Sequence, residues 1–198
     1  GQTVAPGMIE KKFTGVPGIK ETFLVGDGKP YNVLMIVPDY DDPFIKSAED
    51  DQQINTYYQQ IVTAANKELA PYERVINFSI SERPFSEEKG ELTPKGSFKR
   101  KVIEHNFSEL IKQLYIKNTI EFKLDQIKVS IPRWFFRDIG ILETDISTDK
   151  NGIYDKVHKQ SLRIISSADK KNCYTIGDLN YTISSDSIDL GLLVKQPK

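Results

Sequence analysis

The chain has few of the residues that build metal sites and disulfide frameworks. Its 198 residues include one cysteine, Cys173, and two histidines, His105 and His158. A single cysteine excludes an internal disulfide and favours a reducing compartment, so we expect a cytoplasmic protein. Neither histidine has a second histidine or a cysteine at ligand spacing, and the sequence therefore predicts no metal site.

An excess of charge of one sign is also lacking. The chain has 27 lysines and arginines against 28 aspartates and glutamates, which gives a formal net charge of −1. A nucleic-acid-binding protein normally carries a basic excess, and the acidic runs at 39–42 and 50–51 also disfavour that class. No apolar run approaches the roughly 20 residues that a membrane-spanning helix needs. We therefore expect a soluble protein that binds no nucleic acid.

Hydrophobic periodicity predicts a small α+β unit over residues 1–115. A short helix follows Pro6, and a longer one begins at Ser47 and is ended by Pro71. A further helix after the basic loop continues to residue 115. Apolar runs predict three strands, at 19–25, 31–37 and 73–80. The order is that of a small mixed sheet flanked by amphipathic helices, with the second strand covered on both faces.

The hydrophobic pattern of the sequence changes near residues 116–119, where strand-like alternation replaces helical periodicity. We therefore expect residues 116–198 to form a separate β-rich C-terminal module of unknown role. Trp134, Phe135 and Phe136 stand between two arginines in this module and are more typical of core than of an interface. The alternatives for the module are docking to the parent protein's large domain, to a carrier protein or to a membrane surface, and a plain structural extension that packs on the first unit. The predicted strands are 120–124, 127–131, 162–165, 174–176, 180–183 and 188–194.

A basic loop leads into the last helix of the first unit. Four cations fall within seven residues, at Lys95, Lys99, Arg100 and Lys101, next to Gly96. Backbone N–H groups and cationic side chains of such a loop can converge on a phosphate-bearing ligand. A solvated charged surface is the alternative interpretation, because short charge runs before helices are common.

Four stretches of the sequence resemble one family. They lie at residues 1–10, 17–26, 69–74 and 85–103, and include a Gly-x-x-Val-x-Pro-x-x-Ile-Glu run and a Gly-Glu-Leu-Thr-Pro run. In this order they resemble the C-terminal domain of AMP-binding adenylate-forming enzymes, most closely the long-chain fatty acid–CoA ligases, or acyl-CoA synthetases. The resemblance does not extend beyond Tyr115.

This resemblance implies an ATP-dependent ligase. Such an enzyme joins a fatty acid to ATP, giving acyl-AMP and pyrophosphate, and then transfers the acyl group to coenzyme A. Fatty acid, ATP, coenzyme A and Mg²⁺ would be held mainly by a large N-terminal domain that this chain lacks. We therefore expect a C-terminal domain fragment that is inactive alone.

The resemblance also implies site residues, with one departure from the family pattern. Ser97 stands where the family has its catalytic lysine, and a serine supplies no positive charge to a phosphoryl oxygen. Lys95 and Lys99 lie two residues away on either side, and all three side chains share a face if the loop is extended. One hypothesis is that Lys95 or Lys99 substitutes for the missing cation. The other is that adenylation is impaired and the parent protein acts in thioesterification, or as a degenerate homologue in which this chain is a non-catalytic interaction or regulatory module.

Four further residues are implied to bind the nucleotide or coenzyme A. Gly1 matches the glycine beside which the pantetheine arm passes, and Gly96 precedes the position of the family's lysine. Arg100 and Lys101 are the basic residues that end the motif. We expect Glu10 to anchor the first helix and to have no role in the chemistry.

Overall fold

The computed structural model describes residues 4–116, 118–124, 127–167 and 171–195. The chain divides into two compact units, Gly1–Lys117 and Asn118–Lys198. Within the described ranges, every helix is too short or too polar to cross a lipid bilayer. Gly1, one of the predicted binding residues, lies outside the described residues.

A three-stranded mixed sheet forms the centre of the first unit. Strand β1 (Ile19–Val25) pairs antiparallel with β2 (Asn32–Pro38), and β2 pairs parallel with β3 (Val75–Ile80). Every residue of β2 is buried, because the strand has a neighbour on each side and side chains packed on both faces. The predicted mixed sheet, with its second strand covered on both faces, is confirmed.

The long helix of the first unit begins later than predicted. Ser47 ends a separate short helix, α2 (Pro43–Ser47), and the long helix α3 spans Asp51–Asn66. The Asp50 carboxylate accepts a hydrogen bond from the Gln53 N–H at 2.8 Å and so caps α3. The prediction of Ser47 as the first residue was wrong, because Ala48 adopts an extended backbone between the two helices.

The end of α3 also differs from the prediction. The helix stops at Asn66, five residues before Pro71. The fully buried Asn66 side chain instead accepts from the Val75 N–H at 2.8 Å and donates to the Val75 carbonyl at 2.7 Å. These two bonds tie the end of α3 to the start of β3.

Two helices replace the single one predicted after the basic loop. They are α4 (Arg100–Asn106) and α5 (Ser108–Ile116), and Phe107 between them departs from helical geometry with φ −104° and ψ 20°. The Asn106 side chain donates a hydrogen bond to the Glu91 carboxylate at 2.9 Å. The Phe107 ring packs against the Phe85 ring, and the two ring centroids lie 5.5 Å apart. Both junction side chains are therefore held by the preceding loop, and the prediction of one continuous helix was wrong. A short helix α1 (Pro6–Glu10) opens the unit.

The second unit is rich in β-structure, as predicted. Its strands are β4 (Thr119–Leu124), β5 (Ile127–Pro132), β6 (Ile146–Asp149), β7 (Gly152–Asp155), β8 (Gln160–Ser166), β9 (Cys173–Ile176), β10 (Leu179–Thr182) and β11 (Ser187–Asp189). One sheet has the order β11-β5-β4, with β4 and β5 antiparallel and β11 parallel to β5. The other is an antiparallel meander in which β6 to β10 follow one another.

The aromatic run of the second unit forms a helix. Helix α6 (Arg133–Ile139) follows Pro132 and ends at Gly140, which adopts a left-handed backbone with φ +85°. Phe136 is buried, whereas Trp134 and Phe135 are half-buried and meet edge to face with centroids 5.9 Å apart. The expectation of core packing is confirmed for Phe136.

The last predicted strand, 188–194, is wrong from residue 190 onward. The strand ends at Asp189, and helix α7 (Leu190–Lys195) follows. The Asp189 carboxylate accepts from the N–H groups of Gly191 and Leu192, which gives the new helix its first-turn partners. Strands β6 and β7 were not predicted, because their short, largely polar sequences carry little hydrophobic alternation.

Candidate functional site

The basic loop forms a tight hairpin. Leu92 and Phe98 make an antiparallel bridge, and beyond it the Thr93 N–H donates to the Ser97 carbonyl at 2.8 Å. The Gly96 N–H closes the turn on the Thr93 carbonyl at 2.8 Å, and Gly96 has a left-handed φ of +77°. A three-residue connection with glycine at its left-handed position is a common way to join two antiparallel segments. The loop is therefore not extended between Thr93 and Ser97, which was the condition for placing Lys95 on the face of Ser97.

The cationic side chains of the hairpin and of the following helix turn are exposed. Lys95, Ser97, Lys99 and Lys101 all project into solvent, and Gly96 is exposed between them. Within the described ranges, the three lysines form no ion pair with a carboxylate. Their ammonium groups are therefore available to an anionic ligand, and the arrangement suits phosphate or carboxylate oxygens.

Glu91 is the buried centre at the base of the hairpin. Its side chain is 0% exposed, and both oxygens bind the Arg83 guanidinium, at 2.6 and 2.8 Å. The Asn106 amide and the Ser86 N–H each donate to the same carboxylate at 2.9 Å. The hydrogen bonds from Arg83, then those from Asn106 and Ser86, outweigh burial and lower the pKa of Glu91 to about 2. The carboxylate is therefore ionised at neutral pH, and both of its oxygens accept hydrogen bonds.

Sequence reasoning missed this ion pair. Glu91 lies in the Gly-Glu-Leu-Thr-Pro run, but Arg83 precedes it by eight residues in an irregular segment. Residues 83–91 form neither a helix nor a strand, so no regular periodicity relates the two side chains. The only hint in the sequence was that the run around Glu91 resembles a family motif. This resemblance points to Glu91 but does not indicate that Arg83 pairs with it.

An aromatic cluster supports the inner face of the hairpin. It consists of Phe23, Phe85, Phe98 and Phe107, with neighbouring ring centroids 5.3 to 5.7 Å apart. Arg83 stacks over the Phe107 ring, with its guanidinium carbon 4.5 Å from the centroid. Edge-to-face pairs contribute about 0.5–1.5 kcal/mol each beyond their buried area. The cluster therefore fixes the hairpin against β1.

Arg100 is held by the first helix and the first strand. One guanidinium nitrogen donates to the Glu10 carboxylate at 2.9 Å and another donates to the Leu24 carbonyl. The guanidinium carbon lies 4.1 Å from the centroid of the Phe23 ring. Glu10 also accepts from the Leu24 N–H at 2.8 Å, so its predicted anchoring role is confirmed. Arg100 thus ties α4 to β1.

Metal-binding side chains do not converge in the described part of the chain. In those ranges no group of three or more histidine, cysteine, aspartate or glutamate side chains could hold a metal ion. The described residues of this unit therefore offer cationic and backbone groups to a ligand, and no carboxylate cage.

The first unit matches a known family along its whole length. Residues 1–119 match the family described as AMP-binding enzyme C-terminal domain. The long-chain-fatty-acid–CoA ligase FadD15 of Mycobacterium tuberculosis is 28% identical over 130 residues, covering 59% of this chain and 22% of that protein. FadD15 of Mycobacterium bovis matches to the same extent. The chain therefore spans about a fifth of the length of these curated relatives.

Solved structures share the fold of more than half of this chain. The adenylation domain of a carboxylate reductase from Mycobacterium chelonae superposes with a TM-score of 0.52 and 24% identity, over 59% of this chain and 18% of that one. The A-PCP didomain of the carboxylic acid reductase from Segniliparus rugosus, in complex with AMP, gives 0.50 and 21%, over 58% and 16%. At these identities the likeness concerns the fold alone. The family match covers more than half of the chain, and the chain therefore belongs to the family of AMP-binding enzyme C-terminal domains.

Proposed function

We propose that this chain is the C-terminal part of an ATP-dependent long-chain fatty acid–CoA ligase. It would act with a large domain that holds ATP, Mg²⁺ and the fatty acid. The observation that carries the proposal is the exposed cationic hairpin at 91–99, on a domain of the adenylate-forming family. The similarity to FadD15 supports the fatty acid as substrate class.

The hairpin would present its cations to the phosphoryl groups of ATP. Lys95 and Lys99 are the candidates for the positive charge that Ser97 lacks, while Gly96 lets the turn approach a ligand closely. Lys101 would contact the nucleotide or coenzyme A from the first turn of α4. The contacts of Arg100 with Glu10 support an indirect role for Arg100, in which it holds α4 in place.

The proposal is tested with the polypeptide encoded by the complete reading frame that contains this chain. Incubated with palmitate, ATP, Mg²⁺ and coenzyme A, it should form palmitoyl-CoA and AMP, whereas the 198-residue chain alone should form neither. Butyrate in place of palmitate tests the long-chain preference. Absence of any fatty-acid-dependent AMP release by the complete protein would overturn the proposal.

A degenerate homologue is the second candidate, and Ser97 favours it. In that case the parent protein would not adenylate fatty acids but would convert chemically prepared palmitoyl-AMP and coenzyme A to palmitoyl-CoA, or would serve only as an interaction module. Supplying palmitoyl-AMP separates these two outcomes.

A cytoplasmic location and peripheral membrane contact through Trp134 remain predictions, which cell fractionation and liposome co-sedimentation with Trp134→Ala would test.

A further inference from the structure

Ser97 and Lys99 share one face of the hairpin. Phe98 between them is paired across the hairpin, and the Lys99 N–H continues the pairing by donating to the Glu91 carbonyl at 2.8 Å. Side chains of a paired segment alternate between its two faces. Since Phe98 packs into the aromatic cluster, Ser97 and Lys99 project from the opposite, exposed face.

Lys95 starts from a different place, inside the turn. It precedes Gly96, whose φ of +77° and hydrogen bond to the Thr93 carbonyl reverse the chain before Ser97 begins. The alternation that relates Ser97 to Lys99 therefore does not extend to Lys95. Its side chain leaves from the tip of the hairpin and not from the face of Ser97.

The backbone of Lys99 is fixed on both sides. Its N–H is bound to Glu91, and its carbonyl accepts from the N–H groups of Val102 at 2.9 Å and Ile103 at 3.1 Å. Glu91 is itself immobilised by Arg83, so the position of the Lys99 Cα is set by a buried ion pair. A charged side chain on a fixed backbone loses less conformational entropy when it binds a transition state than one on a mobile loop does.

We propose that Lys99, and not Lys95, supplies the catalytic cation for acyl-adenylate formation, an inference that rests on the proposed function. In this step a carboxylate oxygen of the fatty acid forms a bond to the α-phosphorus of ATP. The bond between that phosphorus and the bridging oxygen breaks, and pyrophosphate leaves with the electron pair. No proton is transferred; the Lys99 ammonium keeps its protons and stabilises the charge that builds on the phosphoryl oxygens.

The experiment measures palmitate-dependent exchange of pyrophosphate into ATP by the complete protein. The variants are Lys99→Met, Lys95→Met, Ser97→Lys and the double variant Ser97→Lys/Lys99→Met, with Lys89→Met as an exposed control from the same loop. Lys99→Met should lose about 100-fold or more, the usual effect of removing one group that stabilises developing charge. Lys95→Met should lose less than about tenfold, Lys89→Met should match the wild type, and the double variant should recover to within about tenfold of the wild type.

The outcomes distinguish this inference from the proposed function. A large loss in Lys95→Met with little loss in Lys99→Met, or equal small losses in both, overturns the role of Lys99 and leaves the ligase proposal standing. An inactive wild type with an active Ser97→Lys variant overturns the role of Lys99 and identifies a degenerate homologue. Inactivity of both wild type and Ser97→Lys overturns the proposed function, and the inference with it. Thermal unfolding of each variant shows that a loss of activity is not a loss of fold.

Discussion

Replacing Glu91 by glutamine tests whether the buried ion pair sets the hairpin. The substitution keeps the size of the side chain and an acceptor for the Ser86 N–H but removes the charge that faces Arg83. Arg83 would then lie over the Phe107 ring without its anionic partner. Breaking a buried pair on one side costs about 3–5 kcal/mol, because the remaining charge is left uncompensated.

The magnitude follows from two observations. Hydrogen bonding to Arg83 is the main cause that lowers the pKa of Glu91 from its usual value of 4.5 to about 2. A difference of that size corresponds to about 3 kcal/mol of stabilisation of the ionised form. Arg83 remains 31% exposed, and water therefore screens part of the pair. We expect Glu91→Gln to lower the free energy of unfolding by about 3 kcal/mol at pH 7, near the lower end of the range for buried pairs.

Urea unfolding followed by circular dichroism provides the measurement, with Glu88→Gln as an exposed control from the same loop. Because the folded-state pKa is depressed, the stabilisation is complete above pH 4.5 and is lost as the pH falls through about 2. The difference in the free energy of unfolding between the wild type and Glu91→Gln should therefore shrink to zero across this pH range. Glu88→Gln should stay within about 0.5 kcal/mol of the wild type throughout. A gap that is as small as the control at pH 7, or that does not change down to pH 2, would refute the reasoning.

Three further substitutions test the local structure by the same unfolding measurement. Gly96→Ala should cost about 1–2 kcal/mol because the turn needs a left-handed backbone, whereas Gly7→Ala in helix α1 should be neutral or stabilising; equal effects would contradict the turn geometry. Asn66→Ala should cost about 2–4 kcal/mol because it removes two buried hydrogen bonds to the backbone of Val75, and a loss under about 1 kcal/mol would speak against this. Tyr58→Phe should cost about 1 kcal/mol, since it removes a buried 2.7 Å hydrogen bond to a backbone carbonyl, and an unchanged stability would show that the bond contributes nothing net.

Local pattern was enough to predict the elements that are governed by burial. The continuous apolar run of β2 predicts a strand that is covered on both faces, and every residue of β2 is buried in the structure. The strict alternation at 120–124 and 127–131 predicts two strands, and the structure has β4 and β5 there. In both cases a single physical requirement, the burial of apolar side chains, decides the conformation.

Elements governed by polar side chains were harder to predict. Helix α3 starts at Asp51 because Asp50 caps it, although Ser47 is an equally good capping residue by type. The break at Phe107 depends on contacts of Asn106 and Phe107 with the loop that precedes α4. Helix α7 depends on the Asp189 carboxylate at its start. The sequence offers several possible hydrogen-bond or packing partners for each of these side chains. Which partner is used depends on the tertiary structure, which local sequence patterns do not give.

The candidate site likewise has some features that could be predicted from the sequence and others that could not. The basic residues of the hairpin and the departure at Ser97 are visible in the sequence, because they are local and the motif around them resembles a known family. The Glu91–Arg83 pair and the separation of Lys95 from Lys99 are not visible, because they follow from a turn and from a contact between irregular segments. The composition of the loop could therefore be read from the sequence, and its geometry could not.

The central claim is that this chain serves an enzyme that adenylates long-chain fatty acids. Palmitate-dependent exchange of radiolabelled pyrophosphate into ATP by the complete protein tests it most directly, since the exchange requires reversible acyl-AMP formation and no coenzyme A. We predict exchange that depends on palmitate and is absent with the 198-residue chain alone. No exchange with palmitate, either in the wild type or after Ser97→Lys restores the lysine, would contradict the claim.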